Sequence, residues 1–284
     1  MDEKSLPLDS DIWKLFTEGR KYTWRADSIN LSQEAARFFS ETHQHRKLIR
    51  NLMALAISDN ALFRTIFYDI IKDFKEDEFL ACICSEINAV KNHFEMCSRL
   101  LQKYFQFAEG KQALFGTITS MESFSEKRIW LNSNSSSAAE RVVCYACIKG
   151  VFGWSRFIEI LNFKDDNIMK ESCLLESNNL IIRDIMLHVE FSIRLYRSLD
   201  EVLDMQRTKK IIQDAVDIEN QLAREILSHL SSEQLEQHGY YIQWCGDQIL
   251  RKLGFPNETQ IPESYRWTIE SMPKRELPED LVNE

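Results

Sequence analysis

Apolar residues recur along this chain at steps of three and four. Leu48, Leu52, Leu55, Ala56, Leu62, Phe63, Ile66, Phe67 and Ile70 mark one face of a long buried helix. A second helical stretch covers Phe79 to Phe107 and ends near Gly110. A third, Ser120 to Leu131, stops before Asn132-Ser133-Asn134-Ser135-Ser136-Ser137, whose small polar residues favour a turn. Ala138 to Phe163 is strongly apolar, and Asn178 to Leu199 follows it across an acidic link at Asp165 and Asp166. Thr208 to Leu230 and Glu233 to Leu253 complete the set, with Gly254 placed to cap the last helix. No fixed-period repeat and no strand-rich block interrupts this pattern. It predicts an all-α fold, a bundle of long helices in one domain over residues 1–255. Residues 256–284, with Pro262, Pro273, Pro278 and many acids, are expected to form a strap that becomes a mobile tail.

Composition sharpens this picture. The 284 residues include only 8 Gly and 5 Pro, few of the residues that punctuate turns, which favours long helices. The net charge of −9 argues against binding to phosphate backbones, because that requires clustered Lys and Arg. Seven cysteines show no zinc-finger spacing. Cys144-Tyr145-Ala146-Cys147 lies inside an apolar helical pattern, whereas a redox CxxC sits at a strand-to-helix turn. The cysteines therefore read as small buried apolar residues of a reducing compartment. Met1-Asp2-Glu3-Lys4 opens no signal peptide, and no apolar run reaches the roughly 18 residues of a membrane span, so a soluble cytoplasmic protein is expected.

Paired long helices raise the ferritin-like arrangement, in which inward carboxylates and Glu-x-x-His steps hold two metals. His93 and His188 each sit within an apolar helical pattern. Around them stand Asp11-Ile12-Trp13-Lys14, Trp24 with Ile29-Asn30-Leu31-Ser32, Leu55-Ala56-Ile57-Ser58-Asp59, and Glu140-Arg141-Val142-Val143 with Gly150-Val151-Phe152. Farther on come Ser177-Asn178-Asn179-Leu180-Ile181-Ile182-Arg183-Asp184, then Ala215-Val216-Asp217-Ile218-Glu219, and a closing Tyr241-Ile242 helix ending in Leu253-Gly254-Phe255. In this order the strings resemble the small subunit of class I ribonucleotide reductase, especially its eukaryotic and viral branch, over nearly the whole chain.

The resemblance implies a ferritin-like fold and a site that holds two irons, or iron and manganese, through one aspartate, one free-standing glutamate and two Glu-x-x-His steps. Asp59, His93 and His188 occupy ligand positions of that pattern, while Val90, Lys149 and Ile185 stand where it has glutamates. Four carboxylates offset two ferrous ions in the family, whereas here the charges of Asp59 and Lys149 cancel. Divalent ions need anionic oxygen donors to replace their hydration. No cofactor is therefore expected, and Lys149 is expected to pair with Asp59. The radical-tyrosine position is Cys97. A metal-free subgroup of the family also replaces glutamates but keeps that tyrosine, which Cys97 does not allow. Tyr104 and Tyr145 lie on nearby faces and read as core aromatics. Trp24, Asp184 and His93 match the family's hydrogen-bonded relay toward the large subunit, and Phe157 and Ile181 match the residues that shield the radical.

These residues suggest an auxiliary or catalytically inactive subunit in deoxyribonucleotide synthesis, acting as a homodimer or as a heterodimer with a competent small subunit, with a large subunit as a further candidate partner. Two alternatives follow. One is an active reductase subunit with an altered centre, such as a mononuclear zinc site of Asp59, His93, Cys97 and His188. The other is a pseudoenzyme with an unrelated binding role.

Overall fold

The computed structural model describes residues 10–105, 108–256 and 260–271. Thirteen α-helices appear among them. The first seven are α1 Asp11–Lys21, α2 Glu34–Ser40, α3 His43–Ser58, α4 Asn60–Asp73, α5 Asp77–Lys103, α6 Ala108–Thr119 and α7 Glu122–Ser133. The others are α8 Ala138–Gly150, α9 Trp154–Leu161, α10 Cys173–Arg197, α11 Met205–Ile226, α12 Ser232–Lys252 and α13 Arg266–Ser271. No strand occurs among the described residues, so the chain is the all-α bundle its periodicity predicts.

Local chemistry sets the helix starts. Ser10, Thr42, Ser137, Ser172 and Asp204 each cap a helix by accepting a backbone N–H with their side-chain oxygen. Ser231 and Gln234 form a reciprocal capping box at α12. Gly254 takes φ +93° just past α12, and the Phe255 N–H reaches back to the Leu250 carbonyl, closing the helix with a left-handed residue.

Two predicted long stretches are each split. The Leu48–Ile70 stretch breaks at Asp59, which keeps near-helical angles (φ −63°, ψ −19°), so the apolar period runs through the junction of α3 and α4 unbroken. Ala138–Phe163 breaks at Gly153, whose φ of +84° turns the chain between α8 and α9. The Gly153 and Ser155 N–H groups at that turn donate to Glu219 Oε1, a carboxylate brought in by α11. Helix α6 falls where the sequence places a boundary; Gly110 and Gly116 dilute its pattern.

Helix α8 runs through the middle of the bundle, with every residue from Val142 to Gly150 buried, and packs on α4, α10, α11 and α12. Small residues permit the closest approaches. A Cβ on Gly150 would lie 2.8 Å from Ile249 Cδ1, and one on Gly246 would lie 2.6 Å from Val216 Cγ2. Six of the seven cysteines are buried and all are free thiols; Cys84 is exposed. No helix among the described residues is long and apolar enough to cross a membrane. Residues 1–9, and residues 272–284 of the strap and tail expected over 256–284, lie outside the described residues. Residues 260–271 lie against the bundle, with the Tyr265 hydroxyl 3.0 Å from His238 Nδ1 and the Trp267 ring beneath Lys164 Nζ at 4.3 Å.

Candidate functional site

Three elements converge on α8. The α3–α4 junction supplies Asp59, α5 supplies Glu86, Val90, His93 and Cys97, α8 supplies Tyr145 and Lys149, and α10 supplies Asp184, Ile185 and His188. The i to i+3 and i to i+4 steps on α5 and α10 bring their residues onto one inward face. Asp59, Val90, His93, Cys97 and Ile185 line one cavity of about 40 Å³, together with Phe157 and Ile181. All of these residues are buried.

On its outer side the arrangement is a hydrogen-bonded chain. Trp24 Nε1 donates to Asp184 Oδ2 at 2.8 Å, and His93 Nε2 lies 2.8 Å from the same oxygen. The Trp24 and His93 rings stack with centroids 6.1 Å apart. Asn92 holds the tryptophan segment by donating to the Trp24 carbonyl and accepting from the Ala26 N–H. Burial lowers the His93 pKa, against the opposing pull of Asp184. His188 lies behind it, ring centroids 6.1 Å apart, and burial followed by Lys149 and His93 drives its pKa well below the usual histidine value. Its Nδ1 has no hydrogen-bond partner among the described residues.

The charges are arranged differently from the sequence expectation. Lys149 does not pair with Asp59. Its side chain is fully buried, Nζ finds no hydrogen-bond partner among the described residues, and the amine lies 3.9 Å from the centroid of the Phe63 ring. Burial lowers its pKa to about 7, with Glu86 and Asp184 opposing that shift. Burial also raises Glu86 well above the carboxylate range, so this amine and this acid are both drawn toward neutrality. Asp59 instead receives Lys127 from α7, with Nζ 3.3 Å from both carboxylate oxygens. The same Nζ lies 3.4 Å from Glu219 Oε2, making a buried triad. Desolvation would depress Lys127, but Asp59 and Glu219 outweigh it and its pKa is raised; burial raises that of Glu219.

Sequence reading missed Lys127, Glu219 and Glu86. A signal for Lys127 was present, because Ser123, Lys127, Trp130 and Leu131 are spaced on one face of α7 and all are buried. Tyr104 and Tyr145 are fully buried, as expected of core aromatics. Tyr104 donates to Glu34 Oε1 at 2.6 Å, whereas the Tyr145 hydroxyl is unpartnered among the described residues. The mononuclear alternative finds no support in the geometry. No three of Asp59, His93, Cys97 and His188 bring donor atoms within 4.8 Å of one another, and Cys97 is held in its thiol form by burial.

A pair of divalent metals does not fit the residues present. Asp59 is already neutralised by Lys127, Val90 and Ile185 offer no donor, and an amine occupies the space beside Phe63. Hard and borderline ions bind where anionic oxygens replace water.

The family described as ribonucleotide reductase, small chain, matches residues 7–259. One of the ribonucleoside-diphosphate reductase small chains of Arabidopsis thaliana is 29% identical over 262 residues, covering 90% of this chain and 78% of that protein. The Spisula solidissima small chain is 30% identical over 255 residues, covering 87% and 66%. Among solved structures, a Saccharomyces cerevisiae ribonucleotide reductase homodimer superposes with a TM-score of 0.78 at 23% identity, covering 92% of this chain and 87% of that one. The dimanganese(II) NrdF of Streptococcus sanguinis gives 0.73 at 14% identity, covering 93% and 94%. With its family match across most of the sequence and its ferritin-like bundle, this chain belongs to the ribonucleotide reductase small-chain family.

Proposed function

We propose that this protein is an auxiliary small subunit, one that supports deoxyribonucleotide synthesis through assembly and carries no di-metal chemistry of its own. The observation that carries this reading is the pair of lysines at the bundle centre. Lys127 neutralises Asp59, and Lys149 sets an amine against Phe63 where the family resemblance implies a metal-binding glutamate. Cys97 at the radical-tyrosine position supports the same conclusion, since a buried thiol cannot substitute for a phenol by a conservative change. The Trp24–Asp184–His93 chain is retained for structure: a buried indole N–H and a buried carboxylate both need partners whether or not electrons pass along them.

Assembly is the second half of the proposal. The yeast structure similar to this chain is a homodimer. Here Tyr68 on α4, Ile87 and Phe94 on α5, and Ile129 on α7 leave large apolar side chains 69%, 40%, 42% and 65% exposed. Their burial against a second small subunit, identical or competent, would remove apolar surface from water, as obligate pairs do. The acidic segment Glu276 to Glu284 is proposed to reach a large subunit, although it lacks an aromatic anchor.

Elemental analysis and electron paramagnetic resonance of the purified protein test the first half. Less than stoichiometric iron and manganese with no tyrosyl signal is expected; two such metals per chain, or a tyrosyl radical, would overturn it. Sedimentation of the protein alone, and mixed with a competent small subunit of the same source, tests the second. A persistent monomer in both would sink it.

A further inference from the structure

Apart from the residues that line the central cavity, three metal-ligating side chains meet where the start of α3 faces the loop ahead of α10. Glu41 links α2 to α3, His45 lies in the first turn of α3, and Asp166 precedes α10. Their donor atoms all lie within 4.8 Å of one another. Among the described residues, no other group of three His, Cys, Asp or Glu side chains is gathered this closely.

Glu41 is built into the fold, and the half-buried Asp166 is held beside it. Glu41 is 5% exposed, and its Oε2 faces His45 Nδ1 at 2.7 Å while accepting the Thr42 N–H at 3.3 Å. Its other oxygen, Oε1, is buried with no hydrogen-bond partner among the described residues. A buried carboxylate oxygen without a donor carries an unrelieved desolvation cost, which a cation removes. Asp166 is fixed through Oδ1, which accepts the Ile168 and Met169 N–H groups at 2.7 and 2.8 Å. Burial would raise the Asp166 pKa, but those amides, the Glu41 carboxyl at hydrogen-bonding range and the His45 ring together lower it. Two carboxyl groups that approach each other require something positive between them. The His45 ring packs edge-on against Phe163, which fixes its plane, while its side chain stays 40% exposed and leaves a path for an ion.

We propose that Glu41, His45 and Asp166 form a Zn²⁺ site that clasps the entry of α3 to the loop ahead of α10. One imidazole nitrogen and two carboxylate oxygens suit zinc, whose bonds to N and O are about 2.0–2.2 Å, with water completing a tetrahedron. Tetrahedral donors at that radius stand about 3.3 Å apart, so the 2.7 Å contact between His45 and Glu41 opens slightly to admit the ion. Two carboxylates match the charge of the ion, and zinc bound at Nδ1 takes the neutral imidazole in the tautomer that carries its proton on Nε2. The site is independent of the central cavity and its lysines.

The test uses the full-length protein, stripped with a chelator and desalted, then titrated with zinc chloride by calorimetry at pH 7.5. One equivalent per chain is expected, with a saturable rise in thermal midpoint. His45→Gln and Asp166→Asn should each weaken binding at least about tenfold with unchanged helical content. The double variant Asp59→Asn/His188→Gln should keep the full equivalent. Absence of saturable binding below about 1 mM zinc would overturn the proposal. So would undiminished binding in both single variants, or loss confined to the central double variant. If a single variant fails to fold, wild-type titration at pH 5.5 decides: weaker binding is expected because ligand protons compete, and an unchanged affinity would refute the site.

Discussion

Replacing Lys127 by methionine should be among the most damaging single changes in this protein. The side chain is 1% exposed, and its Nζ lies 3.3 Å from both Asp59 oxygens and 3.4 Å from Glu219 Oε2. Methionine retains most of the aliphatic stem, so packing over Phe152, 4.7 Å from Nζ, is largely kept and charge is what changes. At an effective dielectric of about 20, each contact contributes a gross attraction of about 5 kcal/mol, most of which desolvation offsets in the intact triad. Removing the cation alone leaves two carboxylates buried and facing each other, a loss of about 3–5 kcal/mol. For a domain of this size each kcal/mol moves the midpoint by about 2–4 °C, so a fall of about 6–20 °C is expected. The loss should be insensitive to salt, since buried charges are poorly screened. Calorimetric melts of the single variant and of the triple variant with Asp59→Asn and Glu219→Gln, at pH 7 in low and high salt, provide the assay. The triple variant should recover most of the loss. A single-variant shift smaller than about 2 °C, or no recovery in the triple variant, would show that the triad does not hold α7, α11 and the α3–α4 junction together.

Other changes probe the neighbouring groups. Lys149→Met should stabilise the fold, because the folded pKa of about 7 lies below the unfolded value of 10.5 and a protonated amine is disfavoured in the core. The gain should be on the order of 5 kcal/mol below pH 7 and shrink as pH rises from 7 toward 10.5; urea midpoints across that range check it. Lys149→Glu should destabilise the protein at neutral pH, by burying a carboxylate near Asp184 with no cation to pair it, and unchanged melting would contradict that reading. His238 is buried between Ser155 and Tyr265 and its pKa is lowered to about 4 by burial. Its contribution is therefore fully present above pH 6.5 and lost as pH falls from there through 4, by about 3 kcal/mol, and a His238→Asn variant should show a correspondingly flatter acid profile. Trp24→Phe removes the donor to Asp184 and should cost about 1.5–3 kcal/mol in chemical denaturation.

Much of this protein is legible in its residues alone. Apolar spacing located nearly all the long helices, because a buried helix face must repeat near 3.6 residues whatever it packs against. Serine, threonine and aspartate caps fixed most of their starts for an equally local reason. The inward positions of Asp59, His93, Cys97, Lys149 and His188 could be read too, since each falls on the apolar stripe of its own helix. Which of these groups would touch was another matter. Asp59 lies 68 residues from Lys127 and 90 from Lys149 in the chain, and both lysines sit on buried faces. Charge alone made Lys149 the natural partner; the packing of α7 against α4 and α11 brought Lys127 to Asp59 first and left Lys149 over an aromatic ring. The breaks at Asp59 and Gly153 escaped the pattern because periodicity records which face is buried and is blind to a change of axis. Glu41, His45 and Asp166 were invisible for the same reason. Helical periodicity is a local property of the chain, whereas a cluster drawn from the start of one helix and a loop more than a hundred residues away exists only once tertiary packing has closed the distance between them.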